Sequence, residues 1–112
     1  MGSPVSDIIE NKLLSTKAYQ LFRVELLKHL NSFEDHISKA TAGNTSEYKR
    51  LSASFHTIRG GSGFFGLDKI AEISGKLEEL LGDDNFDFSE DFEKAKELFK
   101  ILKEESKKVL EG

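Results

Sequence analysis

Apolar residues recur at steps of three and four along four separate stretches of this chain, and that spacing restricts it to a helical fold. In "TKAYQLFRVELLKHLNSFEDHISKA", Tyr19, Phe22, Leu26, Leu30, Phe33 and Ile37 make one stripe. Tyr48, Leu51, Phe55 and Ile58 make a second; Ile70, Ile73, Leu77 and Leu80 or Leu81 a third; Phe92, Ala95, Phe99 and Leu102 a fourth, with Val109 two turns on. The single proline is Pro4, so nothing later forbids long helices. "TAGNTS" and "GDDNFDF" have loop composition. Thr45 or Ser46 is expected to cap the second helix, and Asp87 or Ser89 the last. Phe86 and Phe88 alternate over too short a run to argue for a strand. Four amphipathic helices on short connections must bury their stripes on one another. The expected fold is all-α, an antiparallel up-down four-helix bundle, with a short extra N-terminal helix in "VSDIIENKLL". The 112 residues suit a single domain; "MGSP" has the look of a cloning remnant and carries no weight.

At this length about two thirds of the chain's surface can be buried on folding, so one core is feasible without metals or crosslinks. There is no cysteine, which excludes disulfides and thiolate chemistry and fits a reducing cytoplasm, the expected location. The longest apolar runs are far too short for a membrane span. Sixteen basic against twenty acidic residues leave a net charge of −4, which argues against nucleic acid as a partner. "KILKEESKK" interleaves lysine with glutamate and reads as a solvated helix face.

"FHTIRGGSGFFG", Phe55 to Gly66, departs from this pattern. Phe55 and Ile58 belong to the core stripe, whereas Ser52, His56 and Arg59 share the polar face. His56 is therefore expected to be exposed on a rigid helix. Gly60, Gly61 and Gly63 would together cost roughly 3 kcal/mol if the helix ran through them. Bare backbone serves where another molecule approaches closely, and Gly60, Ser62 and Gly63 are expected to prolong the polar face as an open landing around the imidazole. On the third helix Ala71, Gly75 and Glu78 share a face, and Gly75 is a second glycine in a helix interior. Plainer readings stand beside these: an idle surface histidine, glycines that end a helix, and a Glu78 solvated like Glu79.

"HTIRGGSGFFGL" with "KLEELL" downstream resembles the histidine phosphotransfer (HPt) domain, most closely the N-terminal phosphotransfer domain of CheA-type chemotaxis kinases. That group reads H-[ST]-I-K-G-G-[AS]-G-x-F-G-[FL], followed by a glutamate 22 residues after the histidine, which is the spacing of His56 and Glu78. The close match covers Phe55 to Leu81. The resemblance implies that His56 is the phosphoacceptor, that Arg59 stands in for the usual lysine and pairs with phosphoryl oxygens, and that Glu78 orients His56 through Nδ1. Partners are expected to dock over the small-residue surface of Gly60, Ser62, Gly63 and Gly75. Those partners are the ATP-binding domain of a histidine kinase, which uses Mg–ATP, and the receiver domain of a response regulator. The domain itself is expected to hold no cofactor or metal, to be a phosphocarrier and not an enzyme, and to be monomeric in isolation. Gly75 departs from the family, many of whose members carry a second histidine there. Arg59 keeps the charge of lysine but is bulkier and grips two oxygens at once. The chemistry agrees: a nucleophilic imidazole needs its lone pair on the outward nitrogen, and a carboxylate on the other nitrogen fixes that tautomer. The second reading is a degenerate helical interaction or dimerisation module without phosphotransfer.

Other chemistries fit poorly. His29 and His36 lie seven residues apart, about 10 Å along a helix, too far to share one metal. "GGSG" lacks the strand that precedes a nucleophile elbow, and no strand precedes "RGGSGFFG" to make it a nucleotide loop.

Overall fold

A computed structural model of the chain describes residues 16–38 and 45–111. The described residues form four helices: α1 (Lys17–Ser38), α2 (Thr45–Phe64), α3 (Asp68–Gly82) and α4 (Phe88–Leu110). The segment "VSDIIENKLL", where a short helix is expected, lies outside the described residues.

Local chemistry sets the helix ends. Thr16 Oγ1 accepts the Tyr19 N–H at 3.3 Å and opens α1. Asp87 caps α4 by accepting the Ser89 N–H at 3.0 Å, and the Asp91 carboxylate accepts the Asp87 N–H at 2.9 Å in return. Thr45 is already helical, so the cap of α2 falls outside the described residues. α2 runs through Gly60, Gly61 and Gly63 without a break. It ends at Gly66, whose φ of 74° is left-handed. There the Leu67 N–H reaches Ser62 O at 2.8 Å and the Gly66 N–H reaches Gly63 O at 3.2 Å, the paired bonds of a Schellman cap. One glycine therefore terminates the helix, and the three before it need another explanation.

Each helix packs on two neighbours, α1 on α2 and α4, α3 on α2 and α4, and the closest approach is between α2 and α3. Cross-helix contacts show that successive helices run antiparallel. Phe22 meets Gly61 and Phe33 meets Phe55 across α1 and α2. Ser52 meets Glu78 and Arg59 meets Gly75 across α2 and α3. Arg23 Nη2 donates to Leu110 O at 2.7 Å and Lys103 pairs with Glu34 at 2.9 Å across α1 and α4. The all-α up-down bundle expected from the periodicity is thus the observed architecture.

The four stripes meet along the axis. Leu26, Leu77, Ala95 and Leu102 are wholly buried, and Phe33 sets its ring edge-on to Phe55 at 5.1 Å and to Phe99 at 4.8 Å. Truncating such a leucine to alanine typically costs 2–5 kcal/mol, so this layer fixes the positions of the helices. On α3 the stripe is Ile70, Ser74, Leu77 and Leu81, with Ile73 and Leu80 only partly buried on its flanks. Ser106 fills the gap on α4 between Leu102 and Val109. Phe86 and Phe88 close the end of the core against Tyr48, at 4.6 and 6.5 Å.

Candidate functional site

Small side chains let α2 and α3 come together. A Cβ added at Gly82 would stand 2.7 Å from Ser52 Oγ, and one at Gly75 would stand 3.2 Å from Arg59 Cδ. Ser52, buried in this seam, donates its hydroxyl to the backbone carbonyl of Glu78 at 2.6 Å. That bond ties the turn of α3 bearing Glu78 to the turn of α2 that precedes His56. A groove of about 650 Å³ opens beside it, from Arg59 past Glu78 to Asp83.

Within this frame His56 Nδ1 lies 2.7 Å from Glu78 Oε2. The imidazole is 63% exposed and the carboxylate 22%. An ionised carboxylate only accepts, so the contact requires the proton on Nδ1, donated to Glu78. The lone pair then lies on Nε2, which makes no hydrogen bond or ion pair with any described residue. An exposed ring, a carboxylate on its Nδ1 and an Nε2 without a partner among the described residues are therefore brought together.

Arg59 joins the same cluster from the rear. Its Nη1 is 3.2 Å from Glu78 Oε1, an ion pair without hydrogen-bond alignment. Its Nη2 is 3.2 Å from His56 Nδ1. With Nδ1 donating its proton to Glu78, Nη2 has no lone pair to meet there, so the shorter carboxylate contact sets the tautomer. Glu78 thus bridges imidazole and guanidinium, one oxygen to each. The guanidinium lies against the carboxylate and the Nδ1 side of the ring.

The glycines divide by direction. Among the described residues nothing lies within 4 Å of a Cβ added at Gly60 or Gly63, so no packing between them requires these glycines. Gly61 does have an internal reason: its Cβ would strike the Phe22 ring at 2.6 Å. Gly75 has one as well, since it makes room for the stem of Arg59. Ser62 corrects the sequence expectation. It is wholly buried, its hydroxyl donating to Ile58 O at 2.6 Å, and it offers a partner nothing. Six residues beyond His56 is about 240° round a helix, on the side of Ile58, and the glycines on either side disguised it. Ser52, expected on the polar face with His56, is instead buried in the seam, where it and Gly82 let the two helices meet. Their signal was spacing, Ser52 one turn before His56 and Gly82 one turn after Glu78.

The sequence model of the Hpt domain matches residues 17–111, nearly the whole chain and all four helices. The chain belongs to the Hpt domain family. Hpt domains are phosphocarrier modules and not enzymes in themselves; they carry out histidine phosphotransfer in phosphorelays, between kinases and receiver domains. No curated protein and no solved structure gives a match. No helix among the described residues of this Hpt domain is long and apolar enough to cross a membrane. Its other histidines pair with acids elsewhere, His29 with Glu25 at 3.5 Å and His36 with Glu47 at 3.0 Å.

Proposed function

We propose that this Hpt domain takes a phosphoryl group on His56 Nε2 from Mg–ATP held by the ATP-binding domain of a CheA-type kinase, and passes it to the aspartate of a receiver domain. The observation that carries the reading is the 2.7 Å contact of Glu78 with Nδ1, which leaves the lone pair on the exposed nitrogen. In the first step Nε2 forms a bond to the γ-phosphorus while the bond to the ADP oxygen breaks. Positive charge then develops over the ring, and the Glu78 carboxylate offsets it through Nδ1–H. In the second step a carboxylate oxygen bonds to phosphorus, the P–N bond breaks, and the electron pair returns to Nε2. Phosphoryl transfer asks a protein for positioning and in-line access more than for covalent chemistry of its own. Gly60 and Gly63 leave that access open, and Arg59, whose stem lies over Gly75, is the cation that turns to the phosphoryl oxygens. A cytoplasmic chemotaxis kinase is the parent that this reading favours.

The test uses a CheA-type kinase core with Mg–ATP and looks for acid-labile, base-stable phosphate on the chain. Labelling is expected on the wild type, absent from His56→Gln, and slowed in Glu78→Ala with the helical content unchanged. Equal labelling of His56→Gln, or none of the wild type by a kinase matched to it, would leave the interaction or dimerisation module as the better reading.

A further inference from the structure

Phe64 is 66% exposed, the most exposed of the large apolar side chains among the described residues and the one such residue on α2. It stands eight residues beyond His56, about 12 Å along the helix axis and about 80° round it, on the same outward half. Between them the surface of α2 is bare, since Gly60 and Gly63 carry no side chain and nothing fills the space where one would be. The Phe64 ring is also braced. Phe65 meets it edge-on at 5.0 Å, and Phe65 in turn packs on Tyr19 at 5.1 Å and Phe22 at 5.5 Å. An exposed aromatic held by its neighbours loses little freedom when a partner covers it, the property of an interface anchor. In the motif that the chain resembles, this position is the variable x, so the phenylalanine belongs to this chain and not to the pattern.

We propose that Phe64 is the apolar anchor on which a receiver domain seats when it takes the phosphoryl group from His56; this rests on the phosphocarrier reading above. The receiver is the partner that fits because its acceptor is a short aspartate side chain. To bring that carboxylate to a phosphoryl group on Nε2, the body of the receiver must lie flat against the face around His56, and a dozen ångströms of contact along α2 reaches Phe64. A kinase instead presents its phosphoryl group at the end of a nucleotide, which extends from the protein that binds it. The bare backbone at Gly60 and Gly63 lets the incoming surface settle between the reactive ring and the apolar one.

The experiment separates charging from docking. The wild type and variants are first phosphorylated with phosphoramidate, a donor too small to need a docking surface: the P–N bond of the donor breaks, ammonia leaves, and the Nε2–P bond forms. The charged chains are then discharged into a receiver domain chosen from a panel for accepting from the wild type, with rates followed against receiver concentration. Phe64→Ala is expected to charge like the wild type and to reach the same limiting rate, but to need about tenfold more receiver for half-saturation. Phe64→Leu is expected to keep most of the affinity. Ile101→Ala, which removes an exposed apolar side chain from α4, is expected to change nothing. Half-saturation of Phe64→Ala at the wild-type concentration overturns the proposal, as does an equal loss in Ile101→Ala. A charged wild type that no receiver discharges overturns the receiver as occupant. A wild type that takes no phosphoryl group at His56 overturns the phosphocarrier reading, and the docking surface with it.

Discussion

A methyl group added at Gly61 would drive into the ring of Phe22, 2.6 Å from Cδ1, whereas one added at Gly60 or Gly63 would meet nothing within 4 Å. The three glycines lie within four residues of one another on one unbroken helix, and each carries the same intrinsic helix penalty of about 1 kcal/mol against alanine. Gly61 recovers its penalty by letting α1 approach and bury Phe22. Gly60 and Gly63 recover nothing from the described residues. On the proposed function these two glycines instead keep the surface beside the exposed histidine clear for a partner. Buried Ser62 makes the division sharper, because it sits between glycines of opposite direction and belongs wholly to the interior.

The largest effect on stability is expected on the inner side. Gly61→Leu overpacks the Phe22 seat and should lower the unfolding free energy by about 3 kcal/mol, read from urea midpoints; a stable variant would mean that α1 yields freely. On the outer side Gly63→Leu should keep the thermal midpoint of the wild type or exceed it. Its transfer to a receiver should need about tenfold more of that partner, and transfer at the wild-type concentration would show that the clear strip has no occupant. Gly60→Ala should raise stability by about 1 kcal/mol, the ordinary helix gain with no clash to offset it. Loss of stability there would break the comparison outright.

The smallest effect is expected at Asp84, whose carboxylate pairs on the surface with Lys49 of α2. The hydrogen bond and charge of that ammonium hold the Asp84 carboxyl below its ordinary 3.8. A lowered folded-state value means that the pair contributes at neutral pH and that the contribution is lost as pH falls through the folded value. Asp84→Asn should therefore lower the melting temperature only slightly at pH 7, with the gap closing in acid. A gap that widened in acid would reverse the sign of this pairing.

Much of this was written in the order of residues. The apolar spacing specified four helices and their buried faces, because periodicity reports direction about a helix's own axis. It set His56 outward, and the resemblance to a family with a glutamate 22 residues after its histidine marked Glu78 as its companion. Periodicity does not report what stands opposite a residue or how far one helix slides along another. Helical position sets Gly60 near the His56 face and Gly61 away from it, but only the Phe22 ring shows why Gly61 must lack a side chain. The tie from Ser52 to the Glu78 carbonyl, the 2.7 Å between Glu78 and Nδ1, and the turning of Arg59 towards that carboxylate all depend on the register of α2 against α3. That register is settled by close packing of side chains from separate parts of the chain, a property that no single stretch of sequence contains.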